Sequence, residues 1–100
     1  MGRYKLTPSA REDIRKILRR SVENWGKPHA TKYTEKLSDC LTRIGNNDIQ
    51  CRRIDEIPEL YMARCEPHNV FFLRGKPVQV VAILHERMDC LKHLKERLST

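Results

Sequence analysis

From Val78 to His85 the chain reads Val78-Gln79-Val80-Val81-Ala82-Ile83-Leu84-His85, apolar and β-branched almost throughout, and Gly75-Lys76-Pro77 precedes it. A short apolar run set off by turn residues predicts a strand buried on both faces, and such a strand belongs inside a sheet. The run stops at His85 and passes into Glu86-Arg87-Met88-Asp89. Polar groups offered at a strand end are the usual place for function on a rigid scaffold.

The rest of the chain falls into elements around that strand. Arg3-Tyr4-Lys5-Leu6 alternates polar and apolar, which predicts a short strand with one inward face. Thr7-Pro8 then offers a helix cap and a first-turn proline, with Glu12 and Asp13 favouring the helix N-terminus electrostatically. Ala10, Ile14, Ile17, Leu18, Val22 and Trp25 recur at helical spacing and predict a helix from about Pro8 to Asn24. Gly26 suits a left-handed cap and Pro28 the entry to a second helix, whose stripe is Ala30, Tyr33, Leu37, Cys40, Leu41 and Ile44. So short a joint predicts an antiparallel helical hairpin laid on a sheet, with Trp25 as a core anchor at its tip.

Gly45-Asn46-Asn47-Asp48 ends that hairpin, and the mixed segment from Ile49 to Leu60 reads as a loop with at most a helical turn. Tyr61 to Cys65 and His68 to Arg74 are strand-like, and with Val78 to His85 they make a three-strand antiparallel meander. Met88, Leu91, Leu94 and Leu98 outline a short C-terminal helix with Asp89 as its cap. The expected fold class is α+β in the order β-α-α-β-β-β-α, one domain over residues 1–100.

Composition adds a sign. Lys plus Arg number 20 against 13 Asp plus Glu, a formal charge of +7, which suits an acidic protein or a nucleic acid as partner. No apolar run approaches the roughly 20 residues that span a bilayer, and the N-terminus is not that of a secretory signal, so a cytoplasmic protein without a membrane role is expected. Cys40, Cys51, Cys65 and Cys90 lack the short paired spacings of a zinc site. They are expected to be scattered reduced thiols, with no metal and no cofactor.

Several stretches together resemble the ParE toxins of the ParE/RelE superfamily. They are Tyr4-Lys5-Leu6-Thr7-Pro8-Ser9-Ala10 with Asp13-Ile14, Trp25-Gly26, then Ala30 with Tyr33 and Leu37, His68-Asn69-Val70-Phe71-Phe72, and Ile83-Leu84-His85-Glu86-Arg87-Met88-Asp89. The chain departs from the family pattern at Asn46 to Cys51 and at Tyr61-Met62-Ala63. The resemblance implies the toxin of a type II toxin–antitoxin module, one that poisons DNA gyrase by binding it, without catalysis. It also implies a ParD-like antitoxin. Grooves along a helical hairpin and an open sheet edge, beside a cationic helix face, add the expectation that this partner is a small acidic protein whose amphipathic C-terminal tail wraps the domain in a hetero-oligomeric complex.

For that antitoxin the expected contacts are Arg11, Arg15, Arg19 and Arg20 on the outer side of the first helix, and for the target Arg87, Lys92, Lys95 and Arg97 near the C-terminus. The competing expectation is a RelE-like, ribosome-dependent mRNA endonuclease. Cutting RNA through its 2′-hydroxyl needs a base, an acid and cations for the phosphate. His85 and His68 would supply the first two, Glu86 would assist, and Arg64, Arg74 and Arg87 would hold charge. His85 at the end of an apolar strand reads first as a hydrogen-bonded structural histidine. A plain basic nucleic-acid-binding module ranks last, because the chain lacks an RNP-like or helix-turn-helix pattern.

Overall fold

An irregularity in the most apolar strand sets the architecture. The computed structural model describes residues 4–98, in the order β1 (Tyr4–Leu6), α1 (Pro8–Trp25), α2 (Lys27–Gly45), β2 (Cys51–Ile54), β3 (Ile57–Cys65), β4 (His68–Leu73), β5 (Val78–His85) and α3 (Cys90–Leu98). The strands form one sheet ordered β1-β5-β4-β3-β2, antiparallel except where β1 runs parallel to β5. In the β4–β5 ladder Phe71 faces Ala82 while Phe72 faces Val80, so Val81 is an extra residue. A bulge of this kind reverses which side of the sheet each later residue faces.

Its effect is visible in the packing. Val78 and Val80 sit in the core beneath the helical hairpin, Ala82 and Leu84 sit in the core on the other face beside Leu94 of α3, and Ile83 returns to the hairpin side. An apolar run without regular alternation is what such a strand needs, since both faces are covered. The expected buried strand is therefore found, paired on both sides.

The hairpin follows its sequence signals. Thr7 Oγ1 accepts from the Ala10 N–H at 3.2 Å and Pro8 takes the first turn of α1. At the joint Gly26 has φ +87° and serves both helices: its N–H donates to Val22 O at 2.9 Å, and its carbonyl accepts from Ala30 N–H at 3.2 Å. A side chain is strained at that φ, so Gly26→Ala is expected to cost about 1–3 kcal/mol, read as a lower thermal midpoint.

Four expectations need correction. Ile49 to Leu60 is not a loop: β2 forms there, turns at Asp55-Glu56 and pairs with a β3 that begins at Ile57. Charge hid the strand, for Arg52 and Arg53 are tolerated because β2 is a sheet edge. The observed order is thus β-α-α-β-β-β-β-α within the expected α+β class. Cys40 and Cys65 are not free thiols; a disulfide joins α2 to β3 across a Cα–Cα distance of 6.3 Å. Only tertiary packing brings these two together, and their spacing of 25 residues carries no sign of it. Trp25 is no core anchor but 70% exposed. Met88 lies before α3 and is also exposed, while Cys90, Leu91 and Leu94 make the apolar side of that helix. Asp89 does cap it, accepting from the Lys92 N–H at 3.2 Å. Arg3, with which the first strand was expected to begin, lies outside the described residues.

Candidate partner-binding groove

β1 ends at Leu6, opposite Val80, while β5 continues to His85. The edge of β5 from Val81 onward therefore has no strand beside it, and its outward backbone groups need other partners. Thr7 N–H donates to Val80 O at 3.0 Å, the last rung on that side. Beyond it, Arg97 Nη1 donates to Val81 O at 3.1 Å, and Ile83 N–H donates to Asp13 Oδ2 at 2.9 Å. Arg97 also grips both oxygens of Asp13, at 2.7 and 2.8 Å. A carboxylate from α1 and a guanidinium from α3 thus stand where a strand would continue.

Asp13 is 8% exposed, and this pairing is why it tolerates burial. Its role is not the first-turn electrostatics read from the sequence. Asp13 also holds Arg97 charged, its hydrogen bond raising the guanidinium's pKa against a smaller opposing effect of burial.

Past this pair the edge opens into a groove of about 660 Å³ between α1, the hairpin tip, β5 and α3. One side of α1 lines it with Asp13, Lys16, Ile17, Arg20, Ser21 and Asn24, residues three or four apart that share a helix face. Trp25 and Met88, two exposed apolar side chains, lie on its walls. All four histidines of the chain, His29, His68, His85 and His93, line it as well. The His29 ring stands 5.6 Å from that of Trp25. Lys16 and Arg20 give the mouth a positive charge, since Asp13, the acid among its lining residues, is neutralised by Arg97.

On the groove floor the Tyr33 hydroxyl and His68 Nδ1 are 2.5 Å apart. Burial lowers the His68 pKa to about 4, with the neighbouring His85 ring a second cause, and burial raises Tyr33 to about 12. His68 therefore stays neutral in the fold while an unfolded chain would take up a proton between pH 6.5 and about 4. Its contribution to stability is complete above pH 6.5 and is lost as pH falls towards 4. Thermal midpoints measured from pH 7 to 4 should fall less steeply in His68→Gln than in the parent protein.

The residues expected for RNA cleavage are partly gathered here. His68 and His85 face each other across β4 and β5, with ring centroids 5.3 Å apart and edge to face. His85 Nδ1 accepts the Arg87 backbone N–H at 3.0 Å. Arg64 lies at the same end of the sheet but donates to Glu86 and, at 3.3 Å, to Glu66. Those carboxylates raise its pKa and meet its charge. Arg74 is at the other end, six residues along β4 from His68, roughly 20 Å at a strand's rise. Arg87 is exposed, and it is Arg64, not Arg87, that pairs with the adjacent Glu86.

Of the cations expected at the antitoxin, Arg20 lines the groove, whereas Arg11, Arg15 and Arg19 are exposed on the opposite flank of α1, Arg15 near Glu12 at 3.5 Å. Among those expected at the target, Lys92 and Lys95 are exposed with Arg87, but Arg97 turns inward to Asp13. Sequence reasoning missed Lys16, Trp25, His29, Tyr33 and His93 as groove residues. The 13, 16, 17, 20, 21, 24 spacing on α1 was a legible sign, since it carries an acid, two cations and polar residues beside the apolar stripe. No group of described His, Cys, Asp and Glu side chains has the arrangement of a metal site, and no described helix is long and apolar enough to cross a membrane.

Comparison with known proteins gives a consistent answer. The family model for the ParE toxin of the type II toxin–antitoxin system parDE matches residues 4–90. Toxin ParE of Escherichia coli is 42% identical over 98% of each chain, and Toxin ParE1 of Mycobacterium tuberculosis is 30% identical over 93% of this chain and 98% of its own. A solved structure titled as the chromosomal ParDE TA system from P. aeruginosa superposes with a TM-score of 0.67. That alignment is 24% identical and covers 85% of this chain and 96% of the other, a likeness of fold.

Proposed function

The chain belongs to the ParE family, the toxins of type II toxin–antitoxin systems, and from that premise we propose that it arrests growth by binding DNA gyrase and trapping it on broken DNA. A ParD-like antitoxin neutralises it by laying an amphipathic acidic segment in the groove beside β5. Both events belong to the cytoplasm, where gyrase acts.

The observation that carries the reading is the groove itself, which runs along the end of β5 between an exposed tryptophan and two cations and suits an extended or helical peptide with apolar and acidic side chains. Binding is favoured over RNA cleavage because the two groups best placed for catalysis are already engaged. His68 Nδ1 is hydrogen-bonded to the Tyr33 hydroxyl, and Arg64 is paired with Glu86 and Glu66. On the exposed flank, Arg11, Arg15 and Arg19 steer an acidic partner towards Lys16 and Arg20 in the groove. Changing those three to alanine is expected to slow antitoxin association several-fold and flatten its salt dependence, with little change in dissociation, as read by surface-plasmon kinetics.

The target is tested by adding the purified protein to gyrase supercoiling reactions and, in parallel, to translating ribosomes. Accumulated cleaved DNA is expected. Codon-linked cuts in messenger RNA, with supercoiling untouched, would replace this reading with the nuclease.

A further inference from the structure

At the end of the sheet remote from the groove, a tyrosine holds two arginines. The ring of Tyr61 lies against Phe72, its partner across the β3–β4 ladder, with centroids 6.0 Å apart and planes 26° from parallel, so one side of it is braced. Arg74 stacks on it with its guanidinium carbon 4.4 Å from the ring centre, and Arg53 lies 5.6 Å away. Arg53 Nη2 also donates to the Tyr61 hydroxyl at 3.1 Å, while Arg74 donates to Asn47 Oδ1 and Cys51 Sγ, each at 3.1 Å. Both side chains are exposed. Among the described residues neither forms an ion pair with a carboxylate, whereas Arg15, Arg64 and Arg97 all do.

Ordering a long cationic side chain costs conformational entropy, and holding charges of one sign together costs Coulomb energy. Here those costs are met by an aromatic platform and neutral acceptors rather than by an acid, which leaves the charge available. Guanidinium forks fixed on a ring match the oxygens of a phosphodiester with little further ordering, and both forks keep N–H groups to spare.

We propose that the Arg53–Tyr61–Arg74 cluster at the β2 edge is a binding site for the phosphodiester backbone of a nucleic acid, separate from the antitoxin groove and open when that groove is filled. The contact is with backbone phosphates, so sequence preference is not expected. The site does not depend on which target the toxin attacks.

Fluorescence polarisation with a short labelled DNA duplex and, separately, a short labelled single-stranded RNA, each across a salt series, tests it. The parent protein should bind at least one of them, and which one it prefers identifies the source of the phosphates. Arg53→Ala with Arg74→Ala should weaken binding about tenfold or more at low salt and, for the duplex, reduce the log–log salt slope by about 2, near 0.9 per lost phosphate contact. Removing the same charge from α2 with Lys32→Ala and Lys36→Ala should leave binding unchanged. Should the double alanine variant misfold, Arg53→Lys with Arg74→Lys keeps the charge but loses the stacked fork, and about threefold weaker binding is expected. No binding by the parent protein, equal loss in both alanine pairs, or full binding by the lysine pair would overturn the site. So would a selective loss of antitoxin affinity with nucleic-acid binding intact, which would make the cluster a protein contact.

Discussion

Asp13→Ala is expected to destabilise the protein by about 3 kcal/mol or more, lowering the thermal midpoint by roughly 10–20 °C. The carboxylate is 8% exposed, takes both terminal nitrogens of Arg97 and receives the Ile83 N–H. Removing it takes from a half-buried guanidinium the carboxylate that holds both its terminal nitrogens, and takes from a backbone donor its acceptor, at the place where β5 has lost its neighbouring strand. Arg97→Ala should be damaging for the mirror reason, since it strands a buried carboxylate. Asp13→Leu with Arg97→Met should recover part of the loss, because the charges disappear together, but not all of it, because the Ile83 N–H still loses its acceptor and Val81 O keeps only the longer bond from the Thr7 hydroxyl. Thermal or urea unfolding of the single and double variants, closed as a cycle, measures the coupling. An additive result would mean that the pair does not act as one unit.

Trp25→Ala should have the opposite profile. With 70% of its surface exposed, Trp25 contributes little to folding, and the thermal midpoint should move by no more than a degree or two. On antitoxin affinity the expected loss is about 2 kcal/mol, close to thirtyfold, because a tryptophan on the wall of an apolar groove is the kind of side chain that carries an interface. Trp25→Phe should keep much of the affinity, since most of the apolar area remains. Titration calorimetry against the antitoxin tail reads both variants. A full-strength complex with alanine at this position would place the interface elsewhere.

These two residues also show where the sequence was legible. The apolar density of Val78 to His85, the Thr7-Pro8 start and the Gly26 joint each encode local structure in local residues, and β5, α1 and the hairpin joint follow them. β2 was hidden because an edge strand is permitted charge, so its arginines resembled a loop. Asp13–Arg97 joins residues 84 apart in sequence, and the disulfide joins residues 25 apart. Neither leaves a periodic trace. Trp25 misled for a different reason: it falls in register with the apolar face of α1, but it is the last residue of that helix, at the hairpin tip, and is left in solvent. At the site, the sequence named Arg20, His68 and His85, yet it set Arg11, Arg15 and Arg19 on the same surface as Arg20, where the helix turns them to the far flank.

The claim that a partner segment occupies the space beside β5 meets its most direct test in fluorescence, because Trp25 is the single tryptophan of the chain. Titrating the toxin with a tryptophan-free antitoxin tail should move its emission to shorter wavelength and shield it from acrylamide, saturating at the stoichiometry of binding. A tight complex that leaves the emission and the quenching of Trp25 unchanged would contradict the account.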